Sequence, residues 1–518
     1  MLIRILFILS LLYTTSFAAI EMPAIFGDHM VLQRDQAVPV WGKADPGQEI
    51  TVTFAGQSKT TKADEDGNWR VNLDAMKANP VPGTFTINDR VFNNVLVGEV
   101  WICSGQSNME WGVNGSKQPD IEKASADFPL IRHIKLPHRP SDQPEFTFKG
   151  QWTVCNKDSV SRFTGVGYFF GREIHTRVDV PVGLINTSWG GTKIEPWTPL
   201  VGFNRIKDQP FTHNILKKLE EADPTTETGK KRYTEGIEKM RAWLVQAEKD
   251  VAVGIIPQPL PRMPTLNRSH QDPTRLYKGM IHPLIPYAIR GAIWYQGESN
   301  GGEGESYTHK MDALITGWRQ VWQQGDFPFY YVQLANFHKD NNQPAGGDGF
   351  AKVRNAQTAA LKLKNTGMAV IIDIGEANDI HPRNKQDVGK RLAQWALKND
   401  YGHDVLPSGP KYKSHQVQDG EIHIQFDYVG KGLIVGEKNE LEPVKEKNNG
   451  QLRRFAIAGN DKNWVWADAK INGDSVIVSS EKVDNPEHVR YAYSANPEGA
   501  NLYNRDGLPA IPFRTDED

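Results

Sequence analysis

The stretch Val97 to Trp111 reads VGEVWICSGQSNMEW: an apolar run, Gly105, and then Ser107 held between Gln106 and Asn108. The run through Cys103 is nearly continuous in apolar residues, the pattern of a strand buried on both faces of a parallel sheet. Open parallel sheets collect ligands outside the carboxyl ends of their strands, and Ser107 falls at such an end. The same texture recurs in VPVGLIN, AIRGAIWY, FPFYYVQL and GMAVIIDI. Helical spacing lies among these runs, at Val166, Phe170 and Ile174 and again at Val388, Leu392 and Trp395. Strands alternating with helices predict a doubly wound α/β sheet over residues 96–410.

At 518 residues the chain exceeds what one hydrophobic core usually supports. Upstream, residues 20–95 are short alternating runs (AVPVWGKA, EITVTFAG, NWRVNL) separated by Asp45-Pro46-Gly47 and by Asp64 to Gly67, which predicts a β-sandwich module. Trp41 and Trp69 in it are either core residues or a sugar-binding surface. Residues 200–275 interrupt the α/β rhythm with a charged helix whose apolar positions are Tyr233, Ile237, Met240, Leu244 and Ala247, followed by a Pro-rich segment. This helical insertion either overhangs the site or packs peripherally. Residues 411–518 turn β-rich again, through GEIHIQF, RRFAIAG, WVWADAKING and DSVIVSS.

Residues 1–19 combine Arg4, a short apolar run and small residues ending at Ala18 and Ala19, the pattern of a cleaved secretory signal. No later segment is apolar enough to span a bilayer, so an extracytoplasmic protein without a membrane span after cleavage is expected, secreted or periplasmic. The 60 basic and 62 acidic residues nearly cancel, and no basic stripe with interleaved aromatics points to nucleic acid. The two cysteines, Cys103 and Cys155, are either a disulfide or two buried thiols. They have no His or Cys partner at metal-ligand spacing, so neither a metal nor another cofactor is expected.

The strand-end rule brings four segments to one rim: SGQSN after VWIC, TSWGGTKIEPW after VGLIN, QGESN after AIWY, and GEANDIHP after VIIDI. Acyl transfer needs such an inventory. A serine hydroxyl becomes nucleophilic when a base takes its proton, a third group orients the base, and preorganised donors receive the oxyanion. Ser107 is the candidate nucleophile and His381 the candidate base. Asp379, two residues before His381, can hold the ring, with Asp373 in reserve. The Ser107 amide, an amide at Gly190 or Gly191, and a side-chain amide from Gln296 or Asn300 are the candidate oxyanion donors. The window Gly105 to Met109 puts a methionine where the elbow of α/β-hydrolases has its second glycine, so another serine-hydrolase architecture is implied.

GEVWICSGQSNMEW, PVGLINTSWGGTKIEPW, GMIHPLIPYAIRGAIWYQGESN, DIHPRNKQDVGKRLAQWAL and VRYAYSANPEGANLYNRDGLPAIPFRTD resemble the SGNH hydrolases, and within them the sialate O-acetylesterase and acetylxylan esterase group. The resemblance covers most of the chain from about residue 20 onward. It implies a flavodoxin-like three-layer α/β/α domain, no metal, and removal of acetyl groups from the hydroxyls of an acetylated carbohydrate, sialic acid or a xylan-type glycan. By motif it makes Ser107 the nucleophile and His381 the base, with Gly190 or Gly191 and the QGESN segment as the oxyanion hole. Two positions depart from the family pattern. Where the family has D-x-x-H, Asn378 stands three before His381, which leaves the acid to Asp379 or Asp373. Where it has G-x-N-D, Ser299 takes the asparagine's place, which leaves the amide to Gln296, the favoured one, or Asn300.

His282 in GMIHPL is a rival base, read here as structural or substrate-contacting. Glu298 could act as an acid in glycosidic cleavage, but no second carboxylate pairs with it across a sugar bond. A non-catalytic glycan-binding protein on a degenerate hydrolase scaffold is the alternative to an esterase.

Overall fold

Six parallel strands form the centre of the computed structural model, which describes residues 19–261 and 269–516. Apart from Ala19, the leader lies outside the described residues. In chain order the strands are β1 (Arg90–Gly105), β2 (Phe128–Lys135), β3 (Val182–Asn186), β4 (Gly291–Tyr295), β5 (Phe329–Val332) and β6 (Thr366–Ala369). Their order across the sheet is β6-β5-β4-β1-β3-β2, with Thr153–Cys155 antiparallel on the far edge of β2. Without the outer β2 this is the flavodoxin-type order, in which the first strand lies between the second and third and the ligand crevice opens beside it. The strand order thus sets Ser107, just past the end of β1, at the topological switch.

Among the helices are α1 (Ser107–Glu110), α2 (Gly165–Val178), α3 (Pro210–Ala222), α4 (Glu227–Ala252), α5 (Glu305–Trp322) and α6 (Lys385–Asn399). Alternation along β1 sends Trp101 and Cys103 to the α2 face, where Trp101 meets Phe170 edge-on at 4.9 Å between ring centroids. On the opposite face Trp294 of β4 meets Trp318 of α5 at 6.1 Å. Helices on both sides of a parallel sheet make the three layers. The expected helical positions Val166, Phe170, Ile174, Val388 and Leu392 are all buried.

β1 belongs to two sheets. Its first half pairs antiparallel with Asn79–Ile87, and Leu96 to Gly98 pair in parallel with Val31–Gln33, so it begins inside the N-terminal β-module. From Glu99 onward it pairs with β3, and from Trp101 with β4. At the crossover, fully buried Glu99 accepts from Arg290 Nε at 2.7 Å, from Gln33 Nε2 at 3.1 Å and from Arg34, which ties module and sheet together at the end opposite Ser107. Val38–Lys43 and Asn68–Leu73 form the module's second sheet. Trp69 is buried within the module, and Trp41 packs on Phe26 at 4.9 Å and on Tyr287 at 6.5 Å, so both tryptophans serve packing.

Cys103 and Cys155 are free and buried. Cys103 is on β1, whereas Cys155 lies beyond both β3 and β2. Three strand spacings of about 4.8 Å exceed the reach of a disulfide. The insertion packs through Phe203, Ile206 and Leu219 against Ala313 of α5. Its long helix α4 departs from the expected apolar face: Ala247 is buried, but Ile237 and Leu244 are 43% and 52% exposed, because α3 covers only one side of α4.

The C-terminal part folds around its own core, which includes Ile422, Ile424, Phe455, Val476, Val489 and Phe513. Arg354, fully buried, clamps it to the catalytic domain by donating to the carbonyls of Leu334 (2.9 Å), Ala335 (3.2 Å), Ser494 (2.6 Å) and Ala495.

Gly105 closes the fold beneath the site. It has φ +133°, and a Cβ there would lie 2.1 Å from the Tyr295 carbonyl oxygen, which itself accepts from Gln106 N at 2.9 Å. Gly105→Ala would combine backbone strain with a backbone clash. We expect it to lower stability by on the order of 3 kcal/mol in urea unfolding.

Candidate functional site

Ser107 is the first residue of α1, directly above the β1 carboxyl end. As the first helical residue it has no intrahelical acceptor for its N–H. His381 arrives on the loop between β6 and α6, and its Nε2 lies 2.9 Å from Ser107 Oγ. Asp379 Oδ1 lies 3.3 Å from His381 Nδ1 and accepts from the His381 backbone N at 2.9 Å, so one carboxylate braces both ring and main chain. The imidazole stacks on Trp111 at 4.9 Å with 10° between planes. Burial, and then the nearby Lys385 charge, hold the His381 pKa below its usual value against the opposing pull of Asp379. A neutral imidazole with Nδ1 facing a carboxylate leaves Nε2 free to accept a hydroxyl proton.

The remaining candidates separate cleanly. Asp373 accepts two bonds from Arg391, Nη1 at 2.6 Å and Nη2 at 2.8 Å, and one from the Tyr503 hydroxyl at 3.2 Å, so it is a buried structural anchor. His282 Nδ1 lies 2.9 Å from the Glu145 carbonyl and is likewise part of the framework. Gln296 and Asn300, the candidate side-chain oxyanion donors, are both engaged with neighbouring groups. The Gln296 amide donates to Thr192 O at 3.1 Å and to Asn300 Oδ1 at 2.8 Å, and the Asn300 amide to Glu195 at 3.2 Å and Glu303 at 3.0 Å. Both residues are buried, and those bonds occupy their N–H donors. Gly190 stands over the serine: a Cβ on it would lie 3.3 Å from Ser107 Cβ. Gly191, at φ +72°, makes the turn, and its carbonyl accepts from Gln271 at 2.7 Å.

Four residues that the sequence reading passed over complete the site. Glu110, one helical turn after Ser107, accepts from Gly190 N at 2.8 Å, His138 Nε2 at 2.7 Å and Lys135 Nζ at 3.0 Å. Burial opposes its charge, but the bonds from His138, Lys135 and Gly190 prevail and bring its pKa to about 2. Asn108, Trp111 and Lys385 lie beneath and beside the triad-like row. Their local signal was spacing: Asn108, Glu110 and Trp111 lie within one turn of Ser107, and Lys385 is four residues after His381.

Comparisons with known proteins assign the family. A family model described as carbohydrate esterase, sialic acid-specific acetylesterase, matches residues 97–230 and 230–398. The chain belongs to that family. It is a serine carboxylic-ester hydrolase of the carbohydrate esterase class, related to the SGNH-type esterases. It is similar to the sialate O-acetylesterase of Mus musculus, 29% identical with 94% of this chain and 92% of that protein covered. The human sialate O-acetylesterase is 27% identical over 93% of this chain and 90% of its own length. A crystal structure of a carbohydrate acetylesterase from Xanthomonas citri superposes with TM-score 0.78 at 34% identity, covering 96% of this chain and all of that one.

The structural reading of Asp373 is testable. Its side chain is only 2% exposed, so Asp373→Asn leaves the Arg391 guanidinium without its counter-charge. The expected loss is on the order of 3 kcal/mol in urea unfolding.

Proposed function

We propose that this esterase removes acetyl groups from the hydroxyls of an acetylated sugar by way of an acetyl-enzyme intermediate. The observation that carries the reading is the row Asp379, His381, Ser107, with contacts of 3.3 Å and 2.9 Å. His381 takes the Ser107 proton as Oγ attacks the acetyl carbonyl, then returns it to the departing sugar oxygen. A water activated by the same imidazole releases acetate. The Ser107 N–H is the first oxyanion donor. Gly190 N–H is the second, and the substrate must take it from Glu110. The named activities of the relatives support a sialic acid ester, and a neutral xylan-type glycan ester is compatible with the same machinery. The leader pattern of residues 1–19 supports action outside the cytoplasm.

Ser107→Ala should abolish acetate release from an aryl acetate while the unfolding transition stays in place. Asp379→Asn should lower kcat/KM by more than about 100-fold, because the imidazole loses the partner that sets its tautomer. Near-normal turnover in Ser107→Ala would overturn Ser107 as the nucleophile, whereas no acetate release by the wild type, together with no labelling of Ser107 by a serine-directed phosphonate, would favour the glycan-binding alternative. Activity should fall as acid protonates His381. Because its pKa is lowered, the fall should come below about pH 6.5, the ordinary histidine value. Acetate release from acetylated sialic acid against acetylated xylan ranks the substrates.

A further inference from the structure

Asn108, beside the nucleophile, has its side chain turned down into the protein, where it meets three separate segments. Its Nδ2 donates to Glu298 Oε1 at 2.6 Å and to the Ile380 carbonyl at 3.0 Å, and its Oδ1 accepts from Lys385 Nζ. The Ile380 carbonyl can only accept, so it fixes which way the amide is turned. Glu298 therefore faces a donor, and Lys385 faces an acceptor. One amide thus joins the α1 turn, the segment after β4 and the chain on either side of His381. Asn108 and Lys385 are buried, and Glu298 Oε2 is buried with no hydrogen-bond partner among the described residues. Space for the lysine is built in: a Cβ on Gly165 would come 3.3 Å from Lys385 Cγ.

The bridge also reaches the imidazole. Lys385 Nζ lies 5.7 Å from the centroid of the Trp111 ring, on which His381 stacks, and 5.4 Å from that of Tyr295. Burial pushes the Glu298 carboxyl pKa up and the Lys385 ammonium pKa down, and each charge opposes the shift of the other, so the two groups are strongly interdependent: removal of one strands the other in a low-dielectric interior.

Given the Ser107–His381 reading, we propose that Glu298, Asn108 and Lys385 form a buried charge-bridging unit that positions Ser107 against His381 and sets the electrostatic field at the imidazole. These are positioning residues; none touches the reacting atoms. The groups facing His381 are Ser107, Asp379, Lys385 and Trp111. Those facing Lys385 are Asn108, Glu298, Asp379, Glu376, Trp111 and Tyr295. Those facing Glu298 are Asn108, Lys385, Tyr295 and Tyr307. Burial brings the Lys385 pKa down to about 7 while Glu298 opposes that fall. The lysine is therefore charged in mildly acidic solution, where its charge disfavours the imidazolium and keeps His381 available as a base.

The test is the pH profile of kcat/KM on an aryl acetate for the full chain, its Lys385→Met and Glu298→Gln variants, and the double variant. Removing the lysine charge raises the His381 pKa, so the acid limb in Lys385→Met should move up by roughly one pH unit. Glu298→Gln, nearly isosteric, withdraws the counter-charge that keeps Lys385 protonated and should move the limb the same way. The double variant should go no further than Lys385→Met. A side chain that served packing alone would lower kcat at every pH and leave the limb in place. An unmoved limb in folded Lys385→Met overturns the proposal; if that variant does not fold, an unmoved limb in Glu298→Gln does so. A wild-type profile without an acid limb, or wild-type Ser107 unlabelled by the phosphonate, overturns the Ser107–His381 reading instead. A normal wild-type limb with unmoved variants overturns only the bridge.

Discussion

The close approach of β1 to β4 at Gly105 is the constraint on which the site rests. A side chain there would collide with the Tyr295 carbonyl, so only glycine lets the two strand ends converge. Convergence brings the turns above them into hydrogen-bond range. The Gln106 side-chain oxygen accepts from Gly297 N at 3.4 Å and from Ser299 N at 3.3 Å, while the Gln106 N–H is held by Tyr295 O. The segment after β4 is thereby fastened to the serine turn through its backbone. The Gln296 and Asn300 amides bond to Thr192, Glu195 and Glu303, which ties this segment to the turn after β3.

A second set of contacts fixes the histidine side. Asp373 and Arg391 join the loop after β6 to α6, and the Tyr503 hydroxyl of the C-terminal part completes the group. Arg354 draws the same two parts of the chain together from the β5 side. The His381 loop is thus suspended between a helix and a β-domain that both contribute buried charged or phenolic groups. Such groups are costly to bury without partners, and here each is supplied with one.

How much of this was legible in the sequence depended on whether the signal was local. Apolar runs such as VGLIN and GAIWY read directly as buried strands, and the strand-end rule put Ser107 and His381 on one rim. β2 escaped because FPLIRHIK mixes Arg132 and His133 into its apolar residues. The face of α4 was misread because periodicity shows that a helix is amphipathic without showing how much of it a neighbour covers. The sequence also did not show that Asp373 pairs with Arg391, eighteen residues after it, while Asp379 faces His381. Spacing puts Glu110 and Asn108 near Ser107 and Lys385 near His381, but the contacts that join them form only where three segments meet.

The passage of β1 from the N-terminal β-module into the catalytic sheet gives the boundary between them a particular character. A linker can be cut, lengthened or replaced, whereas a shared strand transmits loss of pairing from one sheet directly to the other. Separating Val31–Gln33 or Asn79–Ile87 from β1 would free the backbone that leads to Ser107, sixteen residues of one continuous extended segment. The module and the sheet it precedes therefore share one backbone rather than a joint.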